Sequence, residues 1–266
     1  MFRSSGLNPE NLEKANRPSA SDLDFADGVS CHSDAPKAMR ALIFDFDGLI
    51  VDTESAIYEA WRELYLAHGH DLPLPTYVQC VGSVFGHYDP MVALESLLGA
   101  PVDWDTHLPM KDARILTGQQ SLDTMPGIRE ILAEARAAGT PCVVASSSHR
   151  THVEGWLERT GIRPYFQFVR SRDDVARAKP FPDLFLAAAA GLGLPPADTL
   201  VLEDSSNGLR AALAAGAPCL IVPSPVTLGS DFAGATAILN TLAGVTLGHL
   251  RKIHVSAVAP AEPLVC

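Results

Sequence analysis

The sequence of 266 residues has no run of about 18 apolar residues, the length that a membrane-spanning helix needs. Its first twenty residues contain no apolar segment, so we expect no secretory signal peptide. Basic residues are few: 20 Lys and Arg stand against 31 Asp and Glu, which gives a formal net charge of −11. Because such a surface repels nucleic acid and anionic membranes, we expect neither as a partner. An anionic substrate would need a site with local positive charge or a metal ion.

Cysteine is also scarce. The five cysteines are widely and irregularly spaced and form no CxxC pair. This spacing argues against a zinc ribbon and against a disulfide framework. Cys142 and Cys219 lie in apolar runs, where we expect buried thiols. Reduced thiols are typical of the cytoplasm, which is the location that we predict.

The composition is that of an ordinary globular protein, with 47% hydrophobic and 19% charged residues. It excludes a mainly disordered chain, a coiled coil and a collagen-like fibre. Apolar runs predict buried strands over residues 41–46, 141–145, 166–170, 199–202 and, as the final strand, 219–222. Helical patterns lie between them, at residues 125–138, 150–160, 181–192 and 206–215. This alternation predicts an α/β fold with a doubly wound, Rossmann-like parallel sheet.

A helical pattern over residues 55–120 interrupts the alternation and predicts an inserted α-helical cap domain. We therefore expect an α/β core formed by residues 39–54 and 121–254. The polar residues 1–38 predict a disordered N-terminal extension, and residues 255–266 predict a flexible tail. We expect the chain to be a monomer.

Polar side chains follow the predicted strands where each strand ends. Asp45 and Asp47 follow the first strand, Ser146 the second, and Glu203 and Asp204 the fourth. In open α/β sheets, ligands bind at the carboxyl ends of the strands, so we expect these groups to converge. Carboxylates so close together repel one another, which implies raised pKa values or a bound cation. Oxygen ligands alone favour Mg²⁺.

Four segments in this order resemble the four motifs of the haloacid dehalogenase superfamily. They are DFDGLIVDTE at 45–54, VVASSS at 143–148, AKPFPDLF at 178–185 and VLEDSSNG at 201–208. The pattern is most similar to the β-phosphoglucomutase-like branch, which includes phosphatases and carries a helical cap after the first motif. One departure is Ala178, where the family commonly has Gly.

The resemblance implies roles for five residues. Asp45 would be the nucleophile that attacks phosphorus and forms an aspartyl-phosphate. Asp47 would protonate the leaving alcohol and then act as the base for the attacking water. Ser146 would hydrogen-bond a phosphoryl oxygen, with Ser147 beside it in the phosphate-binding set. Lys179 would neutralise the charge that develops on the phosphoryl oxygens.

The resemblance also implies a Mg²⁺ site. Asp45, the main-chain carbonyl of Asp47 and Asp204 would hold the ion, with Glu203 as a further or water-mediated ligand. The ion would offset the repulsion between an anionic nucleophile and an anionic substrate.

The cap is expected to close over the site and to select the substrate. Candidate contacts on its first helix, in the loop at 82–88 and after the three serines are Tyr58, Trp61, Arg62, Phe85, His87 and His149. Each also has a simpler interpretation as a core or solvent-facing residue. Asp52 and Thr53 directly precede the first cap helix, and capping alone would account for both.

Two features argue against a mutase and favour a phosphatase acting on a small phosphorylated metabolite. Mutases of this branch carry a His on the first cap helix and an Arg in the cap loop. Here Ile57 occupies the His position, and Val84 and Phe85 stand where the Arg is expected. By resemblance, sugar phosphates are the expected substrate class, and a β-phosphoglucomutase-type activity is the alternative.

Other functions of the fold are also considered. A haloacid dehalogenase lacks the second aspartate, so Asp47 argues against it. A phosphonate hydrolase uses a cap lysine, and the only lysine of the cap, Lys111, lies far from the first cap helix. A metal-binding regulatory or binding protein is the non-enzyme alternative, because a fold does not dictate a function. A binder, however, has no need for a nucleophile, an acid, a hydroxyl and a lysine together.

Overall fold

A computed structural model describes residues 38–83 and 88–258 of the chain. Within them, six parallel strands form one sheet in the order β3-β2-β1-β4-β5-β6. The strands are β1 (Ala41–Phe44), β2 (Cys142–Ala145), β3 (Val169–Arg170), β4 (Thr199–Glu203), β5 (Cys219–Ile221) and β6 (Ala237–Ile238). The predicted doubly wound parallel sheet is confirmed.

Helices cover both faces of this sheet. They are α5 (Ile128–Ala137), α6 (Arg150–Arg159), α7 (Asp183–Leu192), α8 (Ser206–Ala215) and α9 (Leu247–Val258). Leu42 and Phe44 of β1 belong to the core cluster that includes residues of α5, α6 and α9, whereas Ile43 belongs to the cluster with α7 and α8. Successive side chains of a strand point to opposite faces, which is why a continuous apolar run fits a strand buried on both sides.

Two expectations about the C-terminal part are wrong in detail. Residues 219–222 are not the final strand, because β6 follows and pairs with β5. β6 has only two residues, of which Ile238 is exposed, so it leaves no buried apolar run in the sequence. Helix α9 continues to Val258, beyond residue 255, where we expected a flexible tail to begin.

The predicted helical insertion between β1 and β2 is confirmed. It contains α1 (Thr53–Ala67), α2 (Leu74–Tyr77), α3 (Pro90–Leu98) and α4 (Trp104–Gly118). These helices bury an apolar cluster of their own around Trp61, Tyr65 and Leu94, and we call the insertion the cap. Its expected bounds, 55–120, stay a prediction. In the described part of the chain, no helix is both long and apolar enough to cross a bilayer.

Candidate active site

The site lies where β1, β2 and β4 end side by side. Asp45 follows β1 and is fixed by a bond of 2.9 Å from its main-chain N–H to Leu202 O on β4. Gly48 then turns the chain with a φ of +85°, which glycine adopts without strain. A Cβ at Gly48 would lie 2.2 Å from Oδ2 of Asp204, so the turn also needs glycine in order to approach that carboxylate.

A buried lysine joins two carboxylates at the centre of the site. The Nζ of Lys179 donates to Oδ1 of Asp45 and, at 2.6 Å, to Oε1 of Glu203. Burial alone would lower the pKa of Lys179, but the charges of Asp45 and Glu203 raise it, so the ammonium stays charged. Burial raises the pKa of Asp45, and the charge of Glu203 raises it further against the opposing effect of Lys179.

Glu203 is wholly buried and is held by donors on both oxygens. Its Oε2 accepts bonds from the main-chain N–H groups of Asp204 and Ser205 and from the Ser205 hydroxyl, at 2.8–2.9 Å. Gly208 of α8 packs directly against it, because a Cβ at that position would lie 1.7 Å from Oε1. These bonds hold Lys179 and the loop after β4, and the expected role of Glu203 as a further or water-mediated metal ligand stays a prediction.

Asp204 provides a buried oxygen that is free to bind a cation. Its Oδ2 accepts a long bond of 3.4 Å from the Thr227 hydroxyl, whereas Oδ1 has no hydrogen-bond partner among the described residues. Burial raises the pKa of Asp204, and the charges of Glu203 and Asp45 add to the increase. Oxygen atoms from Asp45, Glu203 and Asp204 lie within 4.8 Å of one another, which is a group that could hold a metal ion. A buried oxygen without a partner beside two further carboxylates suits such an ion.

Asp47 lies two residues from Asp45 in a different environment. Its Oδ1 accepts bonds from the Thr53 hydroxyl at 2.6 Å and from Nε2 of His152 at 2.8 Å. Its Oδ2 accepts a bond of 2.6 Å from Ser148 and one of 3.4 Å from Ser146. Four donors therefore surround this carboxylate.

These donors set the protonation of Asp47. Burial would raise its pKa, but the hydrogen bond and charge of His152, together with the two short hydroxyl bonds, lower it. Burial would likewise lower the pKa of His152, and its bond to Asp47 outweighs this effect and raises the pKa. The pair is therefore stabilised as carboxylate and imidazolium.

His152 was not predicted from the sequence, and capping alone was expected to account for Thr53. Asp52 does cap α1, since it accepts a bond from Ser55 N at 3.2 Å, whereas the Thr53 hydroxyl binds Asp47. The signal that could have revealed His152 is its place three residues after His149. That position lies in the first turn of the helix that starts at the site.

Glu54, the second residue of α1, lies close to this group. Burial raises its pKa to about 8, and the charge of Asp47 contributes to the increase. The hydroxyl of Tyr77 donates to its Oε2 at 3.4 Å. The cap therefore adds a carboxyl group to this part of the site.

Two residues of the core motifs, Ser147 and Asn207, contact the cap. The hydroxyl of Ser147 donates to the carbonyl of Gly82 at 3.1 Å, so in this conformation it binds the cap main chain. The amide of Asn207 donates to the carbonyls of Val81 at 2.8 Å and Gln79 at 3.3 Å. Motifs that end β2 and β4 thus hold one short segment of the cap.

The remaining candidate contacts that the structure describes bind or pack against residues outside the site. Trp61 is buried in the cap core against Trp104, and the Tyr58 hydroxyl donates to Leu72 O at 3.0 Å. Arg62 is exposed and pairs with Asp71, while His149 is exposed and pairs with Asp173 at 2.8 Å. Their expected contact with substrate stays a prediction. The other two candidates, Phe85 and His87, lie outside the described residues.

Comparison with known proteins gives a consistent set of relatives. The family model for haloacid dehalogenase-like hydrolases matches residues 39–216, a range that contains all four motifs. YhcW of Bacillus subtilis (strain 168), whose name proposes a phosphatase, is 39% identical over 189 residues, or 71% of this chain and 86% of YhcW. The fructose-1-phosphate phosphatase YqaB of Escherichia coli (strain K12) is 31% identical over 176 residues, which cover 66% of this chain and 92% of YqaB.

Solved structures agree with these sequence matches. CbbY from Rhodobacter sphaeroides in complex with phosphate is 30% identical and superposes with a TM-score of 0.63, covering 80% of this chain and 99% of CbbY. A mutant CbbY in complex with xylulose-(1,5)bisphosphate gives a TM-score of 0.64 at 29% identity, with the same coverage.

Proposed function

Since the chain belongs to the haloacid dehalogenase-like hydrolases and is a phosphoric monoester hydrolase, we propose that it is a Mg²⁺-dependent phosphatase of a small sugar phosphate. The observation that carries this proposal is the arrangement of Asp45. A buried nucleophile is paired with Lys179, and next to it Asp204 has an oxygen without a partner. A binding protein would have no need for this combination.

The reaction would proceed in two displacements. An Asp45 oxygen forms a bond to phosphorus while the bond from phosphorus to the substrate oxygen breaks, and Asp47 gives its proton to the departing alkoxide. Water then attacks the aspartyl-phosphate, Asp47 takes a proton from it, and the bond to Asp45 breaks to release phosphate. The free site favours ionised Asp47, the form that the second step needs. A bound anionic phosphoryl group would raise the pKa of Asp47 and favour the acid form for the first step.

The residues around Asp45 fit a magnesium ion. Asp45, Asp204 and the main-chain carbonyl of Asp47 would hold it, while Glu203 orients Lys179. When bound, the ion supplies positive charge that neutralises the nucleophile and the phosphoryl group. Lys179 contributes a second positive charge next to Asp45, and Ser146 would donate to a phosphoryl oxygen.

The charges of the cap favour a substrate with a single phosphoryl group. Residues 55–120 contain three Lys and Arg residues, and each pairs with a carboxylate of the cap. The pairs are Arg62 with Asp71, Lys111 with Asp112 and Arg114 with Glu63, at 2.7–3.1 Å. YqaB is named for a monophosphate, whereas the CbbY complex contains a bisphosphate. We propose a sugar monophosphate, which also disfavours a mutase that passes through a bisphosphate.

Phosphate release from a panel of paired substrates tests this function. Fructose 1-phosphate, glucose 6-phosphate and ribulose 5-phosphate would be compared with their bisphosphates, each with Mg²⁺ and with EDTA. We expect Mg²⁺-dependent release that is faster from the monophosphates. Release that is indifferent to EDTA would contradict the metal dependence, and no release from any member would contradict the proposed function. Conversion of β-glucose 1-phosphate to glucose 6-phosphate would favour the mutase.

The proposal also covers the cellular location, the oligomeric state and the partners of the protein. Cys80, Cys142 and Cys219 are free thiols in the described part of the chain, which supports a reducing cytoplasm. We propose a monomer that acts on a small metabolite, without nucleic acid or membrane as a partner. Light scattering coupled to size-exclusion chromatography measures the oligomeric state.

A further inference from the structure

His152 contacts Asp47 from a distant part of the chain. Its Nε2 lies 2.8 Å from Oδ1 of Asp47, and its ring packs edge-on against Phe46, with centroids 5.8 Å apart and planes at 89°. Phe46 is fully buried and lies between the two aspartates of the first motif. The imidazole is therefore held both by a hydrogen bond and by an aromatic contact.

Helix α6 explains how this side chain reaches the site. The helix begins at Arg150, two residues after the last of the three serines that follow β2, and His152 is its third residue. Side chains of a helix tilt toward its N-terminus, so a side chain in this first turn points back toward the end of the sheet. In the described part of the chain, His152 is the one basic side chain within 4 Å of the Asp47 carboxylate.

The two oxygens of Asp47 are occupied to different degrees. Each carboxylate oxygen offers about two lone-pair positions. Oδ1 accepts two short bonds, from Thr53 and His152, so its positions are filled. Oδ2 accepts one short bond, from Ser148, while the contact with Ser146 is 3.4 Å. The long bond from Ser146 is therefore the one that a substrate or water oxygen would replace most readily on Oδ2.

We propose that His152 is a positioning residue that anchors Oδ1 of Asp47, so that Oδ2 exchanges the proton with the leaving alcohol and then with water. This inference rests on the proposed function. His152 acts through Asp47 and does not itself touch the reacting atoms. Without its bond, Oδ1 keeps a single donor, and the carboxylate is free to rotate between the hydroxyls of Thr53 and Ser148.

Substitutions at His152 test this role. Leucine removes the donor, whereas glutamine places an amide nitrogen at the same number of bonds from the main chain. We expect His152→Leu to lower kcat about tenfold to a hundredfold, which is a part of the rate increase that general acid–base catalysis usually gives. KM should change less than about threefold, because His152 does not touch the substrate. His152→Gln should recover most of kcat. Thr151→Ala is the matched control, because this exposed neighbour has no side-chain bond to the site.

The Asp47→Asn background separates positioning from structural damage. If His152 acts through Asp47, adding His152→Leu to Asp47→Asn should cause no further loss of kcat. An additional loss there, an unchanged kcat in His152→Leu, or a glutamine variant as slow as the leucine variant would each overturn the proposal. Should His152→Leu fail to fold, His152→Asn replaces it, because its shorter amide cannot reach Oδ1. A wild-type protein that releases no phosphate would instead contradict the proposed function.

Discussion

The two aspartates of the first motif are two residues apart, yet their surroundings have opposite effects on them. The Asp45 side consists of Asp45, Lys179, Glu203 and Asp204, all from the α/β core and all buried. There burial and neighbouring carboxylates raise the pKa of Asp45. The Asp47 side consists of Asp47, Thr53, Ser148 and His152. There the bonds from His152, Ser148 and Thr53 outweigh the effect of burial and lower the pKa of Asp47.

This difference shows that the two sides differ in how far protein groups balance the charge of the carboxylates. The Asp45 side has three carboxylates for one lysine, so a cation would lower the pKa of Asp45 and keep its carboxylate ionised. On the Asp47 side, the charge of the carboxylate is already balanced by hydrogen bonds from protein groups. These groups include Thr53, the first residue of the first cap helix, so Asp47 is bonded to the cap, whereas Asp45 is bonded to Lys179 of the core.

Removing the one cation of the Asp45 side should have the largest effect. In Lys179→Met, the buried carboxylates of Asp45 and Glu203 lose their common partner. We expect a loss of about 3–5 kcal/mol in the free energy of unfolding, as for other broken buried ion pairs. Urea denaturation in EDTA measures this loss, with the exposed Lys252→Met as the control. A loss below about 1 kcal/mol, typical of surface pairs, would show that the Asp45 side does not depend on its lysine.

Replacing the Glu54 carboxyl with an uncharged amide tests the surroundings of Asp47 through the pH dependence of protein stability. The folded-state pKa of Glu54 is about 8 and its ordinary value is 4.5, so the folded state binds the proton more tightly. The wild type should therefore lose stability as pH rises from 4.5 to 8, whereas Glu54→Gln avoids this loss. We expect the melting temperature of the variant to exceed that of the wild type at pH 8, with the difference disappearing near pH 4.5. A difference that does not change with pH would contradict this account.

The contact between Asn207 of α8 and the cap should have the smallest effect. Asn207, three residues after Asp204, donates to the carbonyls of Val81 and Gln79. Since a net hydrogen bond contributes about 1 kcal/mol, Asn207→Ala should raise KM about fivefold through a less stable closed cap. Steady-state kinetics on the best substrate measure KM. Ser206→Ala is the control, because the Ser206 hydroxyl bonds to Asp231 O and not to the cap. If Asn207→Ala and Ser206→Ala had the same KM, Asn207 would not stabilise the cap on the core.

The sequence predicted the Asp45 side better than the Asp47 side for a physical reason. Asp45, Lys179, Glu203 and Asp204 lie in recognisable motifs, and the sheet brings the ends of neighbouring strands together. His152 lies four residues beyond the end of such a motif. Its contact depends on the direction of a side chain in the first turn of α6, which no motif specifies.

Prediction of the fold from the sequence also succeeded where the signal is strong and failed where it is weak. Long apolar runs such as β1 and β4 were predicted to within two residues, because burial on both faces leaves a strong signal. β6 was missed because it has two residues, of which Ile238 is exposed. The contact of Ser147 with Gly82 was also missed, since it depends on how the cap packs on the core.

Chemical trapping of the phosphoryl-enzyme tests the central claim most directly. The wild type would be mixed with its best substrate, quenched, and treated with borohydride, which reduces an acyl phosphate to an alcohol. Peptide mass spectrometry should then find homoserine at position 45, and none in Asp45→Asn carried through the same steps. Phosphate release by the wild type without modification of Asp45, or with modification at another carboxylate, would contradict the assignment of Asp45 as the nucleophile.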